Sequence, residues 1–117
     1  MKVGYVAGPF RGISSWTVAE NVRRAERVAL DVWRAGAAAL CPHTNTAHFE
    51  GAAPDSVWLE GALELLRRCD FVVMVEGWEG SMGARAERLE AFRRGMPVFY
   101  DVESAKQWLD LLGEAAS

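Results

Sequence analysis

The chain of 117 residues has few cysteines, no long apolar run and no excess of positive charge, and each shortage excludes a class of protein. Its two cysteines, Cys41 and Cys69, make no disulfide framework, so we expect reduced thiols. No stretch approaches the roughly 18 uninterrupted apolar residues of a transmembrane helix, so we expect no membrane partner. Residues 1–7 lead directly into an apolar strand without the features of a signal peptide, and we expect a cytoplasmic protein. The net charge of −3 argues against a nucleic-acid polymer as partner, because duplex binding needs a basic face.

Half of the residues are apolar and a quarter are charged, as is typical of a globular protein, and residues 1–117 fit one domain. Short apolar runs alternate with segments whose apolar residues recur every three or four positions, which is the pattern of strands and amphipathic helices. This alternation predicts a single doubly wound, Rossmann- or flavodoxin-like α/β domain. Its parallel sheet is expected to have about four to five strands, with helices on both faces. We expect strands at 2–7, 37–41, 71–75 and 97–100, and helices that begin near residues 17, 54, 83 and 104.

Three local features of these elements are specific predictions. Residues 17–20 have the Thr-x-x-Glu pattern of a capping box, which predicts that the first helix begins there. Leu59, Leu63 and Leu66 are expected to be the buried positions of the second helix. Segment 42–55 is expected to be a long polar loop, and long ordered loops in small domains are often functional.

The most informative segment is 81–87, which follows the apolar run 71–75. It places the hydroxyl of Ser81, the glycine Gly83 and the carboxylate of Glu87 where a buried strand turns into a helix. That edge of an open α/β sheet is where small ligands bind, and N–H groups of the new helix bind anions there. The alternative is an ordinary helix start, with Ser81 as its N-cap and Glu87 solvated on the first turns.

Further candidate residues lie within or after the other strands, at the same edge of the sheet. Arg11 offers paired donors that match a phosphate, and the glycines around it allow backbone to approach a ligand closely. Tyr5 lies inside the first strand, where a half-buried structural aromatic is the alternative. The candidate ligand-binding set in these loops is Gly8, Phe10, Arg11, Gly12, His43, Asn45, His48 and Trp78.

Well-known phosphate and metal motifs are absent from these loops. Residues 8–12 read Gly-Pro-Phe-Arg-Gly, which is neither a G-x-G-x-x-G dinucleotide loop nor a Walker loop. Cys41, His43, His48 and Glu50 have a spacing that fits no zinc pattern, so we expect no metal site. Cys41 ends a core strand and is expected to be a small buried apolar residue, which disfavours a Cys–His nucleophile pair.

These residues, taken in order, resemble the nucleoside 2-deoxyribosyltransferase-like superfamily, and in particular its small bacterial and phage members related to 2′-deoxynucleoside 5′-phosphate N-hydrolases. The resemblance depends on 5–12 (Tyr-Val-Ala-Gly-Pro-Phe-Arg-Gly), on Cys69-Asp70 before the third strand, and on Gly-Trp-Glu-Gly-Ser at 77–81 followed by Gly83-x-x-x-Glu87. It extends from the first strand to position 100, and its Ser-x-Gly-x-x-x-Glu block is the most specific part.

What the resemblance implies is cleavage or transfer of the N-glycosidic bond of a (deoxy)nucleoside or its 5′-monophosphate, without metal or cofactor. Glu87 corresponds to the nucleophile of that superfamily, and Tyr5 to a tyrosine that orients it. The groups that correspond to the phosphate-binding positions are Gly8, Phe10, Arg11, Gly12, Ser81 and Gly83. Loop 42–55 is expected to determine the choice of base through His43, Asn45 or His48. Relatives are often dimers or larger, so a homo-oligomer is expected.

One position departs from the resemblance. Active relatives carry a second carboxylate eight positions before the aspartate that leads the third strand, and here that position is Ala62. Glu60 and Glu64 lie on the opposite face of the helix, whereas Asp55 at its start is placed to reach the site, so we include Asp55 as a catalytic candidate. Loss of a general acid or base typically costs about 10²–10⁴-fold in rate.

Three functions therefore stay open. The first is an N-glycosidase or deoxyribosyltransferase that acts through Glu87. The second is a non-catalytic nucleotide-binding domain that keeps the phosphate-binding residues without the second carboxylate. The third is a structural partner domain, whose interface would use the tryptophans at positions 16, 58, 78 and 108.

Overall fold

The structure, a computed structural model, describes residues 1–45, 49 and 51–116, with the backbone alone for 45 and 114–116. Strands alternate with helices along the chain. The strands are β1 (Val3–Ala7), β2 (Ala38–Leu40), β3 (Phe71–Met74) and β4 (Val98–Phe99). The helices are α1 (Ser15–Arg34), α2 (Pro42–Asn45), α3 (Asp55–Arg67), α4 (Met82–Arg93) and α5 (Val102–Ala116), with a 3₁₀ turn at Trp78–Gly80.

The four strands form one parallel sheet in the order β2-β1-β3-β4. Tyr5 in the central strand β1 is in register with Leu40 of β2 on one side and with Val72 of β3 on the other. The chain first winds from β1 outward to β2, then crosses to the other side of β1 and winds outward again to β4. The sheet therefore has the predicted doubly wound topology, with its switch point between β1 and β3.

Helices cover both faces of the sheet, as predicted. Side chains on one face pack under α3 and α4, and those on the other face pack under α1 and α5. Alternate residues of a strand point to opposite faces, so Tyr5 and Ala7 belong to the first core and Val6 to the second. Burial on both faces explains why residues 71–75 form a continuous apolar run. No helix among the described residues is long and apolar enough to cross a membrane.

The predicted start of the first helix is wrong by about half a turn. Helix α1 begins at Ser15, and Ser14 is its N-cap: the Ser14 hydroxyl accepts a hydrogen bond from the N–H of Thr17 at 3.2 Å. A serine three positions before Thr17 satisfies the free N–H of the first turn, so the threonine pattern at 17–20 does not define the start.

Two predictions about the following segments also need correction. Leu59 is 54% exposed, while Leu66 is fully buried, because the amino-terminal part of α3 extends beyond the sheet and its carboxyl-terminal part packs on it. Segment 42–55 does not begin as a loop, since α2 occupies Pro42–Asn45. Proline has the backbone angle of a helix and needs no N–H donor in the first turn, which favours a helix start at Pro42.

Candidate functional site

The candidate site lies at the switch point between β1 and β3. The N–H of Val75 donates to the carbonyl of Ala7 at 2.7 Å, which holds the carboxyl ends of the two strands side by side. Segment 8–14, after β1, and segment 76–81, after β3, therefore leave the sheet at the same edge. This edge is where open α/β sheets bind ligands, and it carries most of the residues that the sequence singles out.

Tyr5 and Glu87 form a hydrogen-bonded pair at this switch point. The Tyr5 hydroxyl donates to Oε2 of Glu87, although the two residues are 82 positions apart. Tyr5 is fully buried in the core beneath α4, and Glu87 lies in the second turn of that helix. The structure thus brings together the two residues that the resemblance pairs, and Glu87 is not the solvated side chain of the alternative interpretation.

Burial controls the protonation of this pair. It raises the pKa of Glu87 from its ordinary value of 4.5 to about 7, and the hydrogen bond from Tyr5 opposes that increase. Burial also raises the pKa of Tyr5 far above its ordinary value, and the negative charge of Glu87 adds to the effect. Tyr5 therefore remains a proton donor, while Glu87 changes charge near neutral pH, as reactive carboxylates in active sites often do.

The start of α4 has the N-cap that the alternative interpretation of segment 81–87 predicts. Ser81 is the N-cap of α4, and its hydroxyl accepts a hydrogen bond from the N–H of Ala84 at 3.2 Å. A Cβ added at Gly83 would have one near neighbour, the Ser81 hydroxyl at 4.0 Å. Packing within the chain therefore does not require glycine there, and its absence of a side chain leaves the helix start accessible to a ligand.

Gly8 has a different reason to be glycine. A Cβ at this position would lie 2.6 Å from Cβ of Val75, which is closer than real Cβ contacts. The tight approach of the two strand ends at the switch point therefore excludes a side chain at Gly8, whatever its role toward a ligand.

Arg11 and Asp55 are brought together from opposite sides of the predicted site. They form an ion pair between the segment after β1 and the start of α3, with 73% and 56% of the respective side chains exposed. Exposed pairs of this kind contribute about 0–1 kcal/mol, so a bound anion can replace Asp55 on the guanidinium at little cost. Ala62, the position of the missing carboxylate, is partly buried in the middle of α3.

Two buried polar side chains hold the segment after β1. His43 lies with Nε2 at 2.7 Å from the carbonyl of Pro9, and its ring makes an edge-to-face contact with Phe10 at 5.4 Å. Burial lowers the pKa of His43, so the ring is neutral at neutral pH. Asn21, which the sequence reasoning missed, donates from Nδ2 to the carbonyls of Phe10 and Arg11, each at 3.2 Å. The available signal was a polar residue within the apolar stripe of the first helix.

Other predicted residues have different surroundings. The Trp78 ring lies 4.8 Å from the Arg88 guanidinium and 5.8 Å from the Tyr100 ring, so it packs within an aromatic–arginine cluster beside the site. The side chain of Asn45 and all of His48 lie outside the described residues, and their predicted role in base choice stays a prediction.

The remaining polar groups offer little other chemistry. Within the part of the chain that the structure describes, no three His, Cys, Asp or Glu side chains are grouped to hold a metal ion. Burial raises the pKa of the Cys41 thiol, and that of Cys69 to about 11, so neither is a thiolate at neutral pH. Asp70 accepts a hydrogen bond from the N–H of Val3 at 2.8 Å, at the opposite end of the sheet.

Two surface depressions lie away from the candidate site. One of about 390 Å³ is at the amino ends of the strands, beside Lys2 and Asp70, and one of about 260 Å³ is against α1 and β2, beside Trp33 and Cys41. Neither depression is lined by Tyr5 or Glu87, so the pair is a candidate site because of its chemistry and not because of these depressions.

Comparison with protein families shows the family to which the chain belongs. The family profile described as Domain of unknown function (DUF4406) matches residues 1–100. The matched range contains the whole sheet, the Tyr5–Glu87 pair and the loops around it, and it ends before α5. A comparison with curated proteins gives no significant match.

Proposed function

The chain belongs to the DUF4406 family, and from the pair of buried Tyr5 and half-buried Glu87 we propose that it cleaves or transfers the N-glycosidic bond of a (deoxy)nucleoside or its 5′-monophosphate. The proposal includes descent from the nucleoside 2-deoxyribosyltransferase-like superfamily, which the sequence resembles from its first strand to Tyr100. The single observation that carries it is a desolvated carboxylate, held by a tyrosine, at the ligand-binding edge of the sheet.

The geometry of the pair supports a nucleophilic role for Glu87. Tyr5 holds Oε2, and among the described residues no donor contacts the other oxygen, Oε1. Oε1 is therefore the atom that attacks the anomeric carbon of the sugar. The new C–O bond forms as the bond to the base breaks, and the base leaves with the electron pair and takes up a proton. Water then attacks the same carbon in a hydrolase, or a second base does so in a transferase, and Glu87 is released.

The surrounding groups support binding of a 5′-phosphate. Arg11 supplies two parallel donors, and the start of α4 with Ser81 and Gly83 supplies N–H groups and the positive end of a helix dipole. A phosphate on Arg11 displaces Asp55, whose carboxylate is then free to exchange a proton with the base or the sugar. In this way Asp55 takes the place of the carboxylate that Ala62 lacks. Holding the sugar in attack geometry can lower the activation barrier by roughly 7 kcal/mol or more in favourable models.

A specific observation favours a second candidate function. The acid that the sequence offers in place of the second carboxylate is Asp55, and Asp55 is paired with Arg11. A chain with Ala62 and an engaged Asp55 is also suited to bind a nucleotide without turning it over.

An assay of base release separates the two functions. Purified protein is incubated with deoxy- and ribonucleosides and their 5′-monophosphates, with and without an acceptor base, and free base is measured by chromatography. We expect release by the wild type and none by Glu87→Gln. The matched control is Glu90→Gln, in the same helix, where the carboxylate pairs with Arg67 at 2.9 Å and not with Tyr5. A wild type that binds nucleotide but releases no base from any substrate would exclude the glycosidase and leave the binding domain.

A further inference from the structure

Three successive backbone carbonyls of the segment after β1 are held by side chains from two other elements. His43 of α2 donates to the carbonyl of Pro9, and Asn21 of α1 donates to the carbonyls of Phe10 and Arg11. A carbonyl oxygen only accepts, so Nε2 of His43 carries a proton in this contact. The amide of Asn21 and the imidazole of His43 both belong to buried residues, of which 8% and 6% of the surface is exposed. Both side chains therefore donate their hydrogen bonds to the carbonyls of segment 9–11.

The orientation of the carbonyls fixes the orientation of the N–H groups that follow them. The peptide bonds of the described chain are trans, and a planar trans unit directs its N–H opposite to its C=O. The N–H of Phe10 therefore points away from His43, and those of Arg11 and Gly12 point away from Asn21. Among the described residues, none accepts a hydrogen bond from these three groups. Backbone N–H groups that have no partner within the chain are available to bind an anion.

We propose that Asn21 and His43 are positioning residues that preset the N–H groups of Phe10, Arg11 and Gly12 to bind the phosphate of the substrate. The nature of that ligand, a nucleoside 5′-monophosphate, rests on the proposed function. The guanidinium of Arg11 then adds charge to an anion site formed by the backbone. Asn21 and His43 affect the affinity for phosphate without contacting it.

The position of Asn21 supports a specific role. It lies in the stripe of α1 that faces the sheet, between the apolar residues Val18 and Ala25, where an apolar side chain would pack without a desolvation cost. Burying the amide of Asn21 has a desolvation cost, and its two hydrogen bonds to the carbonyls of Phe10 and Arg11 offset that cost.

The test is a titration of the ¹⁵N-labelled full chain with inorganic phosphate, a nucleoside 5′-monophosphate and the matching nucleoside, with the backbone N–H signals of Phe10–Gly12 as readout. In the wild type, the two phosphate-bearing ligands shift these signals and the nucleoside does not. Asn21→Leu and His43→Leu are expected to bind inorganic phosphate about 10- to 100-fold more weakly. His43→Gln restores binding, because a glutamine amide reaches the place of Nε2. The matched control is Gln107→Leu, an exposed amide in α5, which leaves the affinity unchanged.

The outcomes separate this proposal from the proposed function. Wild-type affinity in a folded Asn21→Leu or His43→Leu variant overturns it, and so does a wild type whose segment 10–12 does not respond to phosphate. Phosphate-dependent shifts without base release refute the glycosidase alone. If the wild type releases base, Asn21→Leu is expected to raise KM for the monophosphate more than KM for the nucleoside. Equal effects on both substrates would reduce Asn21 to a structural role.

Discussion

Burial of the Glu87 carboxylate predicts that Glu87→Gln stabilises the protein at high pH and not at low pH. Its pKa is raised from 4.5 in the unfolded chain to about 7 in the folded one. Below pH 4.5 the carboxyl is protonated in both states and contributes no penalty. Between the two values the folded state binds more protons than the unfolded state, so the free energy of unfolding decreases as pH rises. Above about pH 7 the penalty is complete, and the shift corresponds to roughly 3 kcal/mol.

The glutamine variant removes this penalty and keeps an amide oxygen that accepts from Tyr5. Thermal unfolding of both proteins at pH 5 and pH 8 measures the difference. For a domain of this length 1 kcal/mol shifts Tm by about 4 °C, so we expect Tm of Glu87→Gln to exceed that of the wild type by roughly 10 °C more at pH 8 than at pH 5. The same substitution is expected to abolish base release, so stability and activity change in opposite directions.

Glu90→Gln is again the control, and its expected sign is opposite. The Arg67 guanidinium holds the pKa of Glu90 below its ordinary value, so the charged form of Glu90 is favoured in the folded state. Replacing Glu90 therefore does not stabilise the protein at pH 8. Equal Tm differences between Glu87→Gln and wild type at the two pH values would refute the reasoning, since the carboxyl of Glu87 would then titrate as a solvated one.

Three further predictions concern the same edge of the sheet. The kcat/KM of base release should rise with pH through about 7, the pKa of Glu87. Tyr5→Phe should move that midpoint upward and lower the rate about 10- to 100-fold, since the hydrogen bond from Tyr5 favours the charged form of Glu87. An unchanged midpoint in a pH–rate series would contradict the assigned contact. Gly8→Ala should lower the free energy of unfolding, measured in urea, by about 1–3 kcal/mol through the clash with Val75, and adding Val75→Ala should recover part of the loss. A Gly8→Ala variant as stable as the wild type would disprove the clash. Asp55→Ala should tighten binding of inorganic phosphate, measured by calorimetry, by no more than about fivefold, because the substitution removes only an exposed ion pair with Arg11. It should also lower kcat by about 10²–10⁴-fold through loss of the proposed acid or base, and a normal kcat would exclude Asp55 from that role.

The fold could be predicted because its determinants are local. The apolar run 71–75 is long enough only for a strand buried on both faces, and helical patterns between such runs require a parallel sheet. The ends of elements were predicted less well, because several residues near an end satisfy the same free backbone groups. Ser14 and Thr17 are both residue types that cap helices, and the structure uses Ser14, the better cap of the two by type.

How much of the candidate site could be predicted depended on how far apart its residues lie in the sequence. Ser81 and Glu87 lie within one segment, so their spacing alone predicted a helix start with a carboxylate in its second turn. The contacts of Tyr5 with Glu87 and of Arg11 with Asp55 span 82 and 44 positions. No periodicity encodes such pairs, and only the resemblance brought Tyr5 and Glu87 together in advance.

In the proposed function, the arrangement of charges connects phosphate recognition to the chemistry of the base. Asp55 pairs with Arg11, and no cation among the described residues contacts Glu87. A phosphate anion near Glu87 would by itself raise the pKa of the nucleophile further and make it less reactive. In the proposed function, Arg11 and the positive end of α4 would offset that charge, and the exchange of partners on Arg11 would release Asp55 when a substrate is bound. A nucleoside without phosphate would leave Asp55 engaged. We therefore expect the phosphate to act in the reaction through the ion pair it breaks, as well as through the affinity it adds.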